Sequence, residues 1–146
     1  MKTPLATAMI LALVFLFLPE ERATAQVNEE AAALRDALRG QRLLVTYRDG
    51  GALYGTYYFL DVQFCDTGRY YTNAQSRKTT VMDNEQVNNW TERGTWSIVS
   101  LQNQLALRYT LLNGRLNFVA ARLLPGGRVW LGDGVSVQRR GATSCQ

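Results

Sequence analysis

An all-β fold is what this sequence predicts: an antiparallel meander closing as a small barrel of about eight or nine strands, preceded by one short N-terminal α-helix. Three observations point to it. From Arg42 onward apolar side chains recur at every second position, most clearly at Leu105, Leu107, Tyr109 and Leu111, which is the period of a half-buried strand. Turn signals divide these runs at short, even intervals: Asp49-Gly50-Gly51, Asp66-Thr67-Gly68, Asn113-Gly114, Pro125-Gly126-Gly127 and Gly132-Asp133-Gly134. Ahead of the strands, one stretch of the chain that follows the leader has helical spacing.

The N-terminus reads as an address. Lys2 precedes an apolar run from Leu5 to Leu18 in which Thr7 is the one polar residue, and Ala23-Thr24-Ala25 offers a small-x-small site. This is the pattern of a secretory signal peptide cleaved after Ala25, so residues 1–25 are expected to be removed. The run is shorter than the ~20 residues that span a bilayer, and no stable membrane insertion of the mature chain is expected. Removal takes Lys2 and Arg22 but also Glu20 and Glu21, leaving the formal net charge at +4. The expected destination is the periplasm or the medium.

The helix is predicted from Val27 to Arg39, within a segment of residues 26–41. Asn28 is placed to cap it, Glu29 and Glu30 fall in its first turn, and Arg35 and Arg39 complement its far end. Ala31, Leu34 and Leu38 form a narrow apolar stripe that needs a surface to pack on, and Gly40 stops the helix.

The barrel domain is expected over residues 42–146. Its strands are read at Arg42–Arg48, Ala52–Phe64, Gly68–Asn73, Trp90–Ser100, Gln104–Leu111, Arg128–Leu131 and Val135–Arg139, with Arg77–Met82 a weaker one. Asn113-Gly114 predicts a type I′ hairpin that brings Leu116, Phe118 and Ala120 to the inner face. Asp83–Asn89, the most polar stretch, reads as a long loop. Short sequential hairpins favour an up-and-down barrel over a sandwich.

One strand departs from simple alternation. Tyr58, Leu60, Val62 and Phe64 form a core face, yet Tyr57 and Phe59 on the other side are aromatic too. An apolar outer face implies a cover, and the Leu34–Leu38 stripe is the nearest candidate. If the helix covers the barrel mouth instead, Tyr57, Phe59 and Asp61 become an exposed partner-binding patch. Asp61 could also pair with an arginine of the helix.

Composition excludes much chemistry. With no histidine and only 2 cysteines, there is no Ser-His-Asp or Cys-His catalysis and no thiolate or histidine metal site. No metal and no cofactor are expected. In an oxidising compartment Cys65 and Cys145 read as a disulfide. Asp61 and Glu92 could be nominated as a glycosidase pair, but nothing in the sequence brings them together. Glu92 is in phase with Trp90, Gly94, Trp96 and Ile98, which turns a carboxylate inward. Asn89-Trp90-Thr91 matches the N-glycosylation acceptor pattern. The basic residues are scattered, and no basic helix or RNA-binding signature is present, so nucleic acid is not an expected partner.

The run Phe64-Cys65-Asp66-Thr67-Gly68-Arg69-Tyr70-Tyr71, then Gly94-Thr95-Trp96-Ser97-Ile98 and the Leu105/Leu107/Tyr109 strand, resembles small secreted bacterial β-domains of lipocalin-like (calycin-like) type. The resemblance covers residues 42–140 and implies a barrel. The expected function is therefore that of an exported, non-enzymatic binding protein holding a small apolar or amphipathic ligand, with Tyr58, Trp96, Tyr109 and Phe118 lining the interior. The alternative is an envelope or host-interface protein-interaction module, an inhibitor or assembly factor, with a filled barrel.

Overall fold

A computed structural model of the chain describes residues 24–51, 54–79, 84–111 and 113–145. Most of the expected leader, residues 1–23, lies outside them, as does Asp83. Residues 24–38 are helical (α1) and are followed by nine strands: β1 (Gln41–Gly50), β2 (Gly55–Phe64), β3 (Arg69–Thr79), β4 (Glu85–Leu101), β5 (Gln104–Leu111), β6 (Leu116–Ala120), β7 (Arg122–Leu124), β8 (Arg128–Trp130) and β9 (Ser136–Ala142).

Asn28 does not cap α1. The helix already runs through Ala25 and Gln26, both good helix formers, so Asn28 lies inside it. The far end is as the sequence predicts: Gly40 takes a φ of 71°, which glycine adopts without steric penalty. Its amide donates to the Phe64 carbonyl at 2.8 Å and its carbonyl accepts from Thr143 at 2.9 Å. The end of α1 is thereby tied to both β2 and the C-terminal tail.

Seven strands form one antiparallel sheet in the order β6-β5-β4-β3-β2-β1-β9, and β7 and β8 form a separate ribbon. Six of the seven are a meander in which each strand pairs with the next, and β9 returns to β1. β6 and β9 are the edges, and no ladder joins them among the described residues. The β7–β8 ribbon leans across that side, where Arg139 of β9 donates to the Gly127 carbonyl at 3.0 Å.

Three local features differ from expectation, each for a physical reason. The polar stretch expected as a loop is strand: Glu85–Asn89 opens β4 and pairs with Thr79–Gln75 of β3. It is exposed throughout, so it never needed an apolar face. The two strands expected on either side of Ala74–Ser76 are one continuous β3, whose inner positions there are the small, buried Ala74 and Ser76 rather than large apolar side chains. The third difference is the hairpin at Asn113-Gly114. Thr110 faces Leu116, Leu111 donates to the Arg115 carbonyl at 2.9 Å and Gly114 to that of Leu111 at 2.9 Å. That register leaves one more residue in the turn than a two-residue type I′ turn holds. A one-residue slip reverses every side chain that follows, so Leu116, Phe118 and Ala120 point outward and Asn117 and Val119 inward. The two-residue turn sits instead at Gln102-Asn103, between paired Leu101 and Gln104, where both residues take positive φ.

The core lies on the inner face of this sheet. Leu43, Val62, Phe64, Tyr70, Trp96, Ile98 and Leu107 come from the sheet, and Leu34 and Leu38 from α1 are fully buried among them. The helix therefore packs inside, against the end of the sheet where β1 begins and β2 ends. It does not cover the outer Tyr57/Phe59 surface. Two leucines on a helix end bury more apolar area among many inner-face side chains than against two flanking rings. At that end a disulfide joins Cys65 to Cys145, across a sequence separation of 80.

Candidate ligand cavity

Above α1 the inner face is not filled. A cavity of about 270 Å³ opens there, walled by Val45, Leu60, Val62, Phe64, Leu107 and Val119 of the sheet, with Leu131 and Val135 of the β8–β9 connection closing the side between the sheet edges. Three phenol rings, Tyr47, Tyr70 and Tyr109, with Thr72 and the Glu92 carboxylate, complete the wall. The strand period explains this set. Tyr47 follows Leu43 and Val45 on β1, Tyr109 follows Leu105 and Leu107 on β5, and Tyr70 and Glu92 share the inner phase of β3 and β4.

Tyr70 is held by its surroundings. It faces Gly94 across the β3–β4 ladder, and a Cβ at Gly94 would lie 3.1 Å from the Tyr70 ring and 1.8 Å from the Thr110 carbonyl oxygen. Only glycine fits there. The ring stands edge-on to Tyr109, centroids 5.9 Å apart. Tyr70 is 4% exposed, and its hydroxyl is buried without a hydrogen-bond partner. Burial, and next the Glu92 charge, push this phenol up to about 12. Burial first and the Glu92 charge second also raise Tyr109, with Arg115 opposing them. Burial is likewise the main cause of the upward shift at Tyr47. Glu92 accepts from the Trp90 indole at 3.1 Å. It also borders a larger, more polar depression of about 640 Å³ with Tyr71, Asn73, Thr91 and Arg93, which belong to the outer phase of β3 and β4.

The four residues expected to line the interior separate. Tyr109 lines the cavity. Tyr58 is on the inner face but stacks on Tyr47 at 4.7 Å and meets Trp90 edge-on at 6.5 Å. Trp96 is in the solid core, edge-on to Phe64 at 5.2 Å, with its indole donating to the Cys65 carbonyl at 3.2 Å. Phe118 is on the outside of β6, 47% exposed, a correction that follows from the turn length. Tyr47 and Tyr70 were legible only as core-phase tyrosines; the signal for Tyr70 was the glycine opposite it, which needs the β3–β4 register to be seen.

Tyr57, Phe59 and Asp61 lie in a row along the outer face of β2. Each has a cationic neighbour. The Arg48 guanidinium is 5.2 Å from the Tyr57 ring and that of Arg77 is 5.4 Å from Phe59. Asp61 accepts from Arg42 Nε at 2.7 Å and from a second guanidinium nitrogen at 2.5 Å. This hydrogen-bonded pairing holds the Asp61 carboxyl below its usual range. The arginine comes from β1 rather than from the helix.

Among the described residues no three His, Cys, Asp or Glu side chains gather as a metal site, and no helix is long and apolar enough to cross a membrane. Comparison with known protein families, curated proteins and solved structures finds no match to this chain.

Proposed function

We propose that this is an exported, non-enzymatic binding protein that holds one small apolar or amphipathic molecule on the inner face of an open, lipocalin-like barrel. The observation that carries this reading is the cavity of about 270 Å³ in a fold whose other end is tightly packed. An apolar void of ~150 Å³ accommodates benzene, and small-molecule sites begin near ~300 Å³. The fitting ligand is a molecule of one or two rings or a short alkyl chain. The Cys65–Cys145 bridge supports an oxidising destination.

The alternative, a protein-interaction surface at Tyr57, Phe59 and Asp61, has weaker support. Tyr57 is 45% exposed, but all three side chains are engaged by Arg48, Arg77 and Arg42. A partner would have to displace these contacts.

Calorimetric titration with indole, a neutral two-ring probe, tests the reading. The wild-type protein is expected to bind it, and Val119→Trp, which fills the cavity, to lose binding while keeping a cooperative thermal transition. Absence of binding to the wild-type protein, together with no retained small-molecule mass in a native mass spectrum of protein from its own host, would overturn it.

A further inference from the structure

Glu92 is the one charged side chain among those that line the cavity; Thr72, opposite it on β3, and the three tyrosines add hydroxyls. Among the described residues Glu92 accepts a hydrogen bond from the Trp90 indole, and neither ion pair described in the fold, Arg42–Asp61 or Arg77–Glu85, includes it. Glu92 and the rings of Tyr47, Tyr70 and Tyr109 line the same space. None of the side chains that wall the cavity is an arginine or a lysine. Other charges lie near it without lining it: Arg115 acts on Tyr109, Asp49 adds a second negative charge near Tyr47, and Arg93 follows Glu92 on the outer phase of β4. Within, the Tyr70 hydroxyl is buried with no hydrogen-bond partner among the described residues.

A carboxylate in the wall of an apolar cavity is costly unless a cation or hydrogen-bond donors meet it. The electron-rich faces of tyrosine rings also attract ammonium groups, most strongly when water is excluded. An anionic head group would instead meet the like charge of Glu92, and a neutral one would leave that charge uncompensated.

We propose that the cavity selects a protonated amine: a small aromatic or alkyl ammonium ion with its apolar body against Val62, Leu107 and Val119, and its charged head between Glu92, Tyr109 and the free hydroxyl of Tyr70. This rests on the binding reading above and adds to it the class of ligand. Glu92 supplies the charge, the phenol rings supply cation–π attraction, and the Tyr70 oxygen accepts from the ammonium N–H.

Three molecules of nearly one shape test this in calorimetric titrations of the protein at neutral pH: phenethylamine, phenethyl alcohol and 3-phenylpropionate. The amine is expected to bind about ten-fold or more tightly than the alcohol, and the carboxylate most weakly. In Glu92→Gln, whose amide oxygen still accepts from Trp90, the amine is expected to fall to the affinity of the alcohol while the alcohol is unchanged. The wild-type ranking is decisive even if that variant does not fold. An alcohol or carboxylate that equals or exceeds the amine would overturn amine selectivity and leave the cavity reading standing. An amine preference that survives in Glu92→Gln would overturn the role given to this carboxylate. Failure of all three to bind at millimolar concentration would overturn the cavity reading as well.

Discussion

The two ends of the inner face obey one strand period and reach opposite results. At the end where β1 begins, α1 lays Leu34 and Leu38 onto Leu43, Phe64, Trp96 and Ile98, and every one of these is at most 8% exposed. At the other end the same strands present Tyr47, Leu60, Tyr109 and Glu92, and no helix among the described residues lines the space they face. Alternation decides which side chains face inward. Whether they meet a partner or a void depends on where α1 lies, and Gly40 holds it at the end where β1 begins. The ties at that point belong to the packed end: Gly40 to Phe64, Thr143 to Gly40, and Cys65 to Cys145.

The largest test of this contrast is the staple. Closing a loop with a sequence separation of 80 contributes on the order of 4 kcal/mol by chain entropy. Replacing Cys65 and Cys145 together by alanine is expected to lower stability by about that amount in denaturant titrations. The ligand cavity should keep its affinity for indole wherever the variant is folded, because the bridge fastens the other end.

A smaller effect separates the two ends directly. Leu38→Ala, fully buried under the sheet, is expected to cost about 3 kcal/mol. Leu60→Ala, on the half-buried cavity wall, is expected to cost about half as much, since it enlarges a space that is already open. Equal losses in chemical denaturation would remove the distinction between a packed end and a hollow one.

The smallest effect concerns Tyr70. Its folded-state phenol is raised from 10.0 to about 12, burial being the main cause. The stability linked to keeping it neutral is fully present below 10.0 and decays as pH rises through about 12. Tyr70→Phe is expected to abolish that alkaline decay. At neutral pH it should change stability by less than about 1 kcal/mol, because the hydroxyl it removes has no partner. Phenolate absorbance against pH, with melting curves at neutral and alkaline pH, reads both.

Much of the fold was legible because it depends on local pattern. The apolar stripe of α1, its stop at Gly40, the alternation of β5 and the inward phase of Glu92 need only neighbouring residues. What escaped depends on longer-range geometry. Phe118 was misplaced because Asn113-Gly114 carries the chemistry of a two-residue turn, while the Thr110–Leu116 register closes a longer one. Glu85–Asn89 was taken for a loop because a strand exposed on both faces has no hydrophobic period. Of the cavity, Tyr109 was found by phase, but Tyr47 and Tyr70 could not be told from ordinary core tyrosines.

The sequence by itself determined the sheet, the helix and the bridge between Cys65 and Cys145, because spacing, turn residues and cysteine count act over short range or by elimination. Only the tertiary structure decided that α1 packs inside the sheet rather than on Tyr57 and Phe59, and that β6 and β9 remain edges. It also decided that Tyr47, Tyr70, Tyr109 and Glu92 converge from four strands on one cavity. Convergence is set by strand register and by the space a helix leaves unfilled, and neither is encoded in any single segment of the chain.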